Sequence, residues 1–274
     1  MANNEKLTSA EMTAYWRSRY PELSGDRWSA LLVSKEGIKL ANRFKTEVYP
    51  LIEHHLALRH RFFFNRAAAL LRSGHYDSCI SIGSGLSLLV PYLTEVAPKL
   101  CYYDADLSEV LEMRETRLKK VKEKFKNETW GAIQSRTIDL EKAATKKKKL
   151  KSVFPEATSP IFILEGVFFY LTSACLEWFF RELETYGTSA VIFDYWPKYS
   201  EAKSEVTRKM VTFLNTSIRE KIQRFQSADE FKKLAGSKRI QEDSEIRDIE
   251  SEFVKTPLLT EINEIVPARY VVVV

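Results

Sequence analysis

Cysteine is scarce in this 274-residue chain: Cys79, Cys101 and Cys175 are the three present, and no two of them are close in sequence. That excludes the close-spaced pairs of zinc or dithiol redox sites, and an odd number without a framework points to a reducing compartment. No apolar run approaches the roughly 20 residues that a membrane span needs. The opening segment MANNEKLTSAEM lacks the apolar stretch of a secretory signal. These absences lead us to expect a cytoplasmic protein, without a metal site and without a membrane partner. There is no internal repeat, and no low-complexity segment beyond one run of lysines.

What is present is ordinary for a protein with a substantial core. Apolar residues make up 45% of the chain and charged residues 29%. The net charge of +5 is spread through mixed-sign stretches such as 107 to 128, which read as a solvated helix face. Only Lys146 to Lys149, with Lys151 just beyond, stands apart. Such a run can mark a nucleic-acid patch, but without a second basic stripe a solvated loop is the better expectation. Oligomeric state is not legible.

Residues 1–75 contain no good strand. They carry helix-like stretches at Ser9 to Arg19, Ser29 to Gly37 and Thr46 to Ser73, with many aromatics, and are expected to form a helical cover. From residue 76 short apolar runs alternate with helical stretches, the pattern of βαβ units. The expected strands are Ser78 to Ile82, Leu100 to Asp104, Ala132 to Ile138, Pro160 to Glu165 and Ala190 to Tyr195. Helices are expected at 86 to 96, 107 to 126 and 172 to 186. A helical insertion should follow at about 199–225. Ser227 with Glu230 makes a capping box for a short helix that Gly236 stops. Tyr270 to Val274 is the most strand-like stretch and is expected antiparallel, at or near a sheet edge. The fold class is therefore α/β, a doubly wound and mostly parallel sheet with an antiparallel terminal strand, residues 76–274 forming the core.

Chemistry should gather at the carboxyl ends of the strands. Gly83-Ser84-Gly85 ends the first strand just before a helix, where glycine allows a sharp turn and close approach of a ligand to the backbone. About twenty residues later the second strand ends in Asp104-Ala105-Asp106, and an acidic side chain at that distance can accept hydrogen bonds from ribose hydroxyls. Either aspartate could serve, and Asp106 could instead cap the next helix. Asp139 and Leu140 follow the third strand, and Glu165 and Gly166 the fourth. Leu86-Ser87-Leu88 lacks the third glycine of a dinucleotide oxidoreductase.

Five blocks in order resemble the leucine carboxyl methyltransferases and their bacterial small-molecule O-methyltransferase relatives, a branch of the class I S-adenosylmethionine enzymes with a Rossmann-like fold. They are Leu58-Arg59-His60-Arg61-Phe62, Ile82-Gly83-Ser84-Gly85-Leu86, Asp104-Ala105-Asp106-Leu107-Ser108-Glu109-Val110, Glu165-Gly166-Val167-Phe168-Phe169-Tyr170-Leu171 and Val191-Ile192-Phe193-Asp194-Tyr195. The resemblance implies S-adenosyl-L-methionine as cofactor. Gly83 and Gly85 would lie along its methionine portion, Asp104 or Asp106 would hold the ribose, and Asp139 with Leu140 would flank adenine. Glu165 would sit near the amino group, and Arg59 or Arg61 would meet a carboxylate of cofactor or substrate. The family's aspartate, threonine and arginine after the glycine turn are replaced here by Ser87, Leu88 and Leu89, and Phe64 stands where an aspartate is common.

The leading expectation is thus methyl transfer to a carboxylate or hydroxyl oxygen of a small molecule, with a protein C-terminal carboxylate as the alternative acceptor. A hydroxyl acceptor benefits from a base; Tyr170, Asp194, His54, His55 and His60 are candidates by type, although the histidines are expected on a helix surface. A non-catalytic cofactor-binding scaffold and a basic nucleic-acid-binding module are the readings from other classes.

Overall fold

Strands built from consecutive apolar residues can be covered on both faces, and the sheet is covered that way. The computed structural model describes residues 9–124, 132–198, 204–218, 220–223, 225–236, 238–259 and 265–274. Its strands are β1 (Ser78–Ile82), β2 (Cys101–Asp106), β3 (Gln134–Thr137), β4 (Pro160–Leu164), β5 (Ala190–Tyr195), β6 (Ile240–Glu245) and β7 (Arg269–Val273). They form one sheet in the order β3-β2-β1-β4-β5-β7-β6. β1 to β5 run parallel, while β7 is antiparallel to both of its neighbours. Chain order reverses between β1 and β4, which leaves a crevice beyond their carboxyl ends.

Alternation along each strand divides the core in two. Cys79, Ile161, Ile163, Ile192, Tyr270 and Val272 pack toward the helices that precede the sheet. Ile80, Phe162, Leu164, Phe193, Val271 and Val273 pack toward the other layer. Val271, Val272 and Val273 are almost completely buried, each contributing roughly 1.5–3 kcal/mol relative to exposure.

The first layer is led by α1 (Ser9–Arg17), α2 (Pro21–Ser24), α3 (Lys35–Glu47) and α4 (Ile52–Arg72), with α5 (Leu89–Val96) after β1. A 3₁₀ turn at Ser29–Leu32 precedes α3, whose N-cap Ser34 accepts a hydrogen bond from the Gly37 N–H. Two of the expected helical stretches are therefore divided differently: Ser29 to Gly37 breaks at Val33 and Ser34, and Thr46 to Ser73 breaks at 48–51, where Pro50 interrupts the helical backbone. α6 (Ser108–Lys124), α7 (Leu140–Thr145), α8 (Leu150–Val153) and α9 (Ser173–Leu183) connect the parallel strands. After β5 come α10 (Glu205–Phe213), a π turn at Leu214–Ile218, α11 (Ala228–Ala235) and α12 (Ile246–Phe253). Residues 199–203, 219 and 224 of the expected insertion lie outside the described residues.

β6 is a strand that hydrophobic patterning does not mark, because Ile-Gln-Glu-Asp-Ser-Glu is almost wholly polar. Backbone pairing to β7 makes it, supported by Arg66 on Glu242 and Arg269 on Asp243 and Glu245. Carboxylates along an edge discourage pairing with another chain. No described helix is long and apolar enough to cross a membrane. The lysines at 146–149 are exposed, Lys149 pairing with Glu182.

Candidate active site

The carboxyl ends of β1, β2, β4 and β5 open into one cavity of about 1210 Å3, roofed by α1, α4, α10 and the π turn after it. Gly83 and Gly85 have φ of 67° and 49°, so both positions need the left-handed backbone that glycine adopts without strain. A Cβ on Gly83 would lie 2.5 Å from Val167 Cγ2, which keeps that position bare for a second reason. The turn is tied to β2: the Gly83 N–H donates to the Ala105 carbonyl at 2.8 Å, and the Gly85 N–H donates to Asp106 Oδ2 at 2.8 Å. Ser84 Oγ is buried with no hydrogen-bond partner among the described residues.

The two aspartates of β2 separate in role. Asp104 turns away from the cavity into a buried ion pair with Arg114, 2.7 Å long, and Arg114 also donates to the Gly85 carbonyl. Asp106 lines the cavity, its Oδ1 accepting from the Leu107 N–H and its Oδ2 from Gly85. Burial raises its pKa against the pull of those hydrogen bonds and of Arg114. Asp139 caps α7 by accepting from the Lys142 N–H, and it lines the cavity together with Leu140.

Glu165 and Asp194, at the ends of neighbouring strands, share one cation. Arg59 Nε donates to Glu165 Oε1 at 3.1 Å, and its Nη1 is 3.6 Å from Asp194 Oδ2. His60 Nδ1 lies 3.4 Å from Glu165 Oε2. Burial works to raise the Glu165 pKa, but Arg59, His60 and more distant Arg17 outweigh it and hold the carboxyl well below the usual range. Asp194 behaves oppositely: burial dominates and pushes it up to about 6, despite Arg59 and the Gly166 N–H, which donates to its Oδ1 at 2.6 Å. Asp194 Oδ2 accepts no hydrogen bond from a described residue. Gly166, at φ 72°, faces the Arg59 guanidinium so closely that a Cβ would stand 3.2 Å from Nη1.

The other candidates fall elsewhere. Arg61 donates to the carbonyls of Leu23 and Glu22, fastening α4 to α2, and does not line the cavity. Tyr170 Oη donates to Glu220 Oε2 at 2.8 Å, and burial, then Glu220, raises its pKa well above 10, so it is poorly suited to accept a proton. The histidines expected on a helix surface are buried instead, because α4 is enclosed by the sheet and by its neighbouring helices on nearly every side. His54 bonds Glu250 at 2.7 Å, which also accepts the N–H groups of Leu258 and Leu259. His55 Nε2 shares a 2.8 Å hydrogen bond with Tyr270 Oη, and burial, followed by Arg59, pushes its pKa down to about 3.

Two cavity residues escape sequence reasoning. Arg17, on α1, bonds Asp26 Oδ2 at 2.6 Å and donates to the Leu86 carbonyl at 2.8 Å, so it clamps the cover onto the loop after the glycine turn. Glu220 accepts from both Tyr170 and the Ser9 N–H. Neither stands in a motif; an arginine or glutamate in a charged helical stretch looks like surface.

Comparison with solved structures agrees with this architecture. A DUF574 family protein from Streptomyces avermitilis MA-4680 superposes with a TM-score of 0.66 at 14% identity, covering 99% of this chain and 98% of the other. A candidate methyltransferase from Thermobifida fusca YX gives 0.66 at 12%, covering 99% and 96%. Magnesium protoporphyrin IX methyltransferase from Synechocystis PCC 6803, solved with S-adenosylhomocysteine bound, gives 0.51 at 13%, covering 87% and 94%. The fold is the class I methyltransferase, Rossmann-like arrangement with an antiparallel terminal strand. No curated protein sequence matches the chain. The leucine carboxyl methyltransferase family model matches residues 6–183, well over half of the sequence and all of the strands that bear the glycine turn, Asp106 and Glu165, and the chain belongs to that family.

Proposed function

We propose that the protein is an S-adenosylmethionine-dependent methyltransferase acting on an oxygen of a small molecule. The carrying observation is that the glycine turn, Asp106, Asp139 and Glu165 open into one cavity over the switch in strand order. The residues suit the cofactor's chemistry. Asp106 spends one acceptor site of each oxygen on the backbone and keeps others for ribose hydroxyls. Ser84 Oγ is a buried polar atom without a hydrogen-bond partner among the described residues, beside the bare glycine backbone. Glu165, whose charge is favoured by Arg59 despite burial, presents an anion at the cavity that complements a ligand's ammonium.

On this reading Gly83, Ser84 and Gly85 lie along the methionine portion, Asp106 holds the ribose, and Asp139 and Leu140 border the adenine. Glu165, oriented by Arg59 and His60, receives the amino group, and Arg59 stays close enough to meet a carboxylate. Asp104 serves by holding Arg114 against the turn, and Arg61 takes no part in the cavity. When bound, S-adenosylmethionine supplies an electrophilic methyl group. The protein's share is to align the acceptor with it at near-attack distance and exclude water.

Calorimetry with S-adenosylhomocysteine tests the assignment. Gly83→Asp or Gly85→Asp should abolish binding, since either side chain enters the turn against strain and adds an anion; binding equal to wild type would sink it.

A further inference from the structure

The half of the cavity beyond Arg59, over β5 and β7, has its own chemistry. Its walls are apolar: Phe169 and Trp196 stack with centroids 4.2 Å apart and planes 15° from parallel, and Phe44, Leu56, Met210 and Leu214 line the same cavity. The charged groups that line this half are few. Glu220 is engaged with Tyr170 and Ser9, and Lys221 is exposed. The remaining charge is Asp194, paired in register with Tyr270 of β7 and 1% exposed, with Oδ1 fixed by the Gly166 N–H and Oδ2 free of hydrogen bonds. Arg59, the nearest cation, gives its Nε hydrogen bond to Glu165 and keeps Nη1 3.6 Å from Asp194 Oδ2, an ion pair without a hydrogen bond.

We infer that the acceptor is a flat, largely apolar molecule that presents a neutral hydroxyl, and that Asp194 Oδ2 receives the hydrogen bond and then the proton of that hydroxyl. This rests on the methyltransferase reading above and selects between its two classes of oxygen. A carboxylate acceptor would bring a third anion, after Glu165 and Asp194, to the single Arg59 guanidinium, and like charges about 4 Å apart repel by several kcal/mol at an intermediate effective dielectric. A hydroxyl satisfies the free oxygen instead. As the acceptor oxygen bonds the methyl carbon, the carbon–sulfur bond breaks with its electron pair staying on sulfur. The hydroxyl proton passes to Asp194, which releases it to solvent when the product leaves. Rings stacked against Phe169 and Trp196 supply binding area that does not depend on the reacting group.

A pair of probes tests this without turnover. The protein is saturated with S-adenosylhomocysteine, and binding of 2-naphthol and 2-naphthoate is followed at neutral pH by calorimetry and by quenching of tryptophan fluorescence. The wild type should prefer 2-naphthol by at least about tenfold. Asp194→Asn, which retains an oxygen for the Gly166 N–H and removes the charge, should still bind S-adenosylhomocysteine but lose most of that preference, chiefly by tighter binding of the naphthoate. Equal or tighter naphthoate binding by the wild type would overturn the inference, as would failure of both probes to bind, or a preference that Asp194→Asn leaves intact. The wild-type comparison stands even where the variant does not fold. Failure of the wild type to bind S-adenosylhomocysteine at all is a different result, and it strikes the methyltransferase reading itself.

Discussion

At the scale of single residues, one guanidinium holds two carboxylates at opposite ends of their titration range. Glu165 takes the direct hydrogen bond from Arg59 together with His60, so its charge is favoured despite burial. Asp194 lies 3.6 Å from the same cation and receives only the Gly166 N–H, so desolvation wins and its pKa rises to about 6. The signs of the two linkages differ. The lowered Glu165 adds stability that is present above its ordinary 4.5 and is lost as pH falls toward its folded value. The raised Asp194 adds stability that is complete below its ordinary 3.8 and is lost as pH rises through about 6. Carboxyl carbon NMR of the unliganded protein should therefore show the Asp194 resonance, assigned by its loss in Asp194→Asn, titrating near 6; if that resonance titrates near 4, the burial argument fails.

At the scale of elements, legibility follows whether a segment's state is decided locally. β1 and its glycine turn were readable because a short apolar run ending in Gly-Ser-Gly has few alternatives, and the boundaries agree to the residue. The capping box was readable for the same reason: Ser227 Oγ accepts from the Glu230 N–H, and Glu230 Oε2 accepts from the Ser227 N–H. Replacing Ser227 by Ala should lower stability by about 1 kcal/mol in urea denaturation, as loss of an N-cap does, while leaving S-adenosylhomocysteine affinity unchanged. β6 was not readable, since its polar residues become a strand only when β7 lies beside them. The burial of His54, His55 and His60 was hidden likewise. A histidine on a helix looks like surface until Glu250, Tyr270 and Glu165 arrive from elsewhere in the chain. Of the cofactor-side candidates, strand-end residues were found by position alone. Arg17 and Glu220 were not, because tertiary packing brings them to the cavity.

At the scale of the whole molecule, the cavity is bounded by both core layers and by the cover, so a ligand there touches most of the fold. S-adenosylhomocysteine at a hundred times its Kd should stabilise the protein by about 2.7 kcal/mol and raise Tm by roughly 5–10 °C. A thermal shift confined to one of two separate transitions would show that the cover and the sheet melt independently.

The bonds that close the cover over the sheet span long stretches of chain: Arg17 reaches Leu86, Arg59 reaches Glu165, His54 reaches Glu250 and His55 reaches Tyr270, the last across 215 residues. Contacts so distant in sequence form slowly, since a large loop must be closed before they reward the chain. α4 is made before every strand it packs on; α1 and α2 can dock on it early, but the part of its apolar surface that meets β4, β5 and β7 waits until those strands have been synthesised and paired. Some apolar surface of one early helix therefore stays open until nearly the whole chain has been made, an interval in which premature association competes with folding.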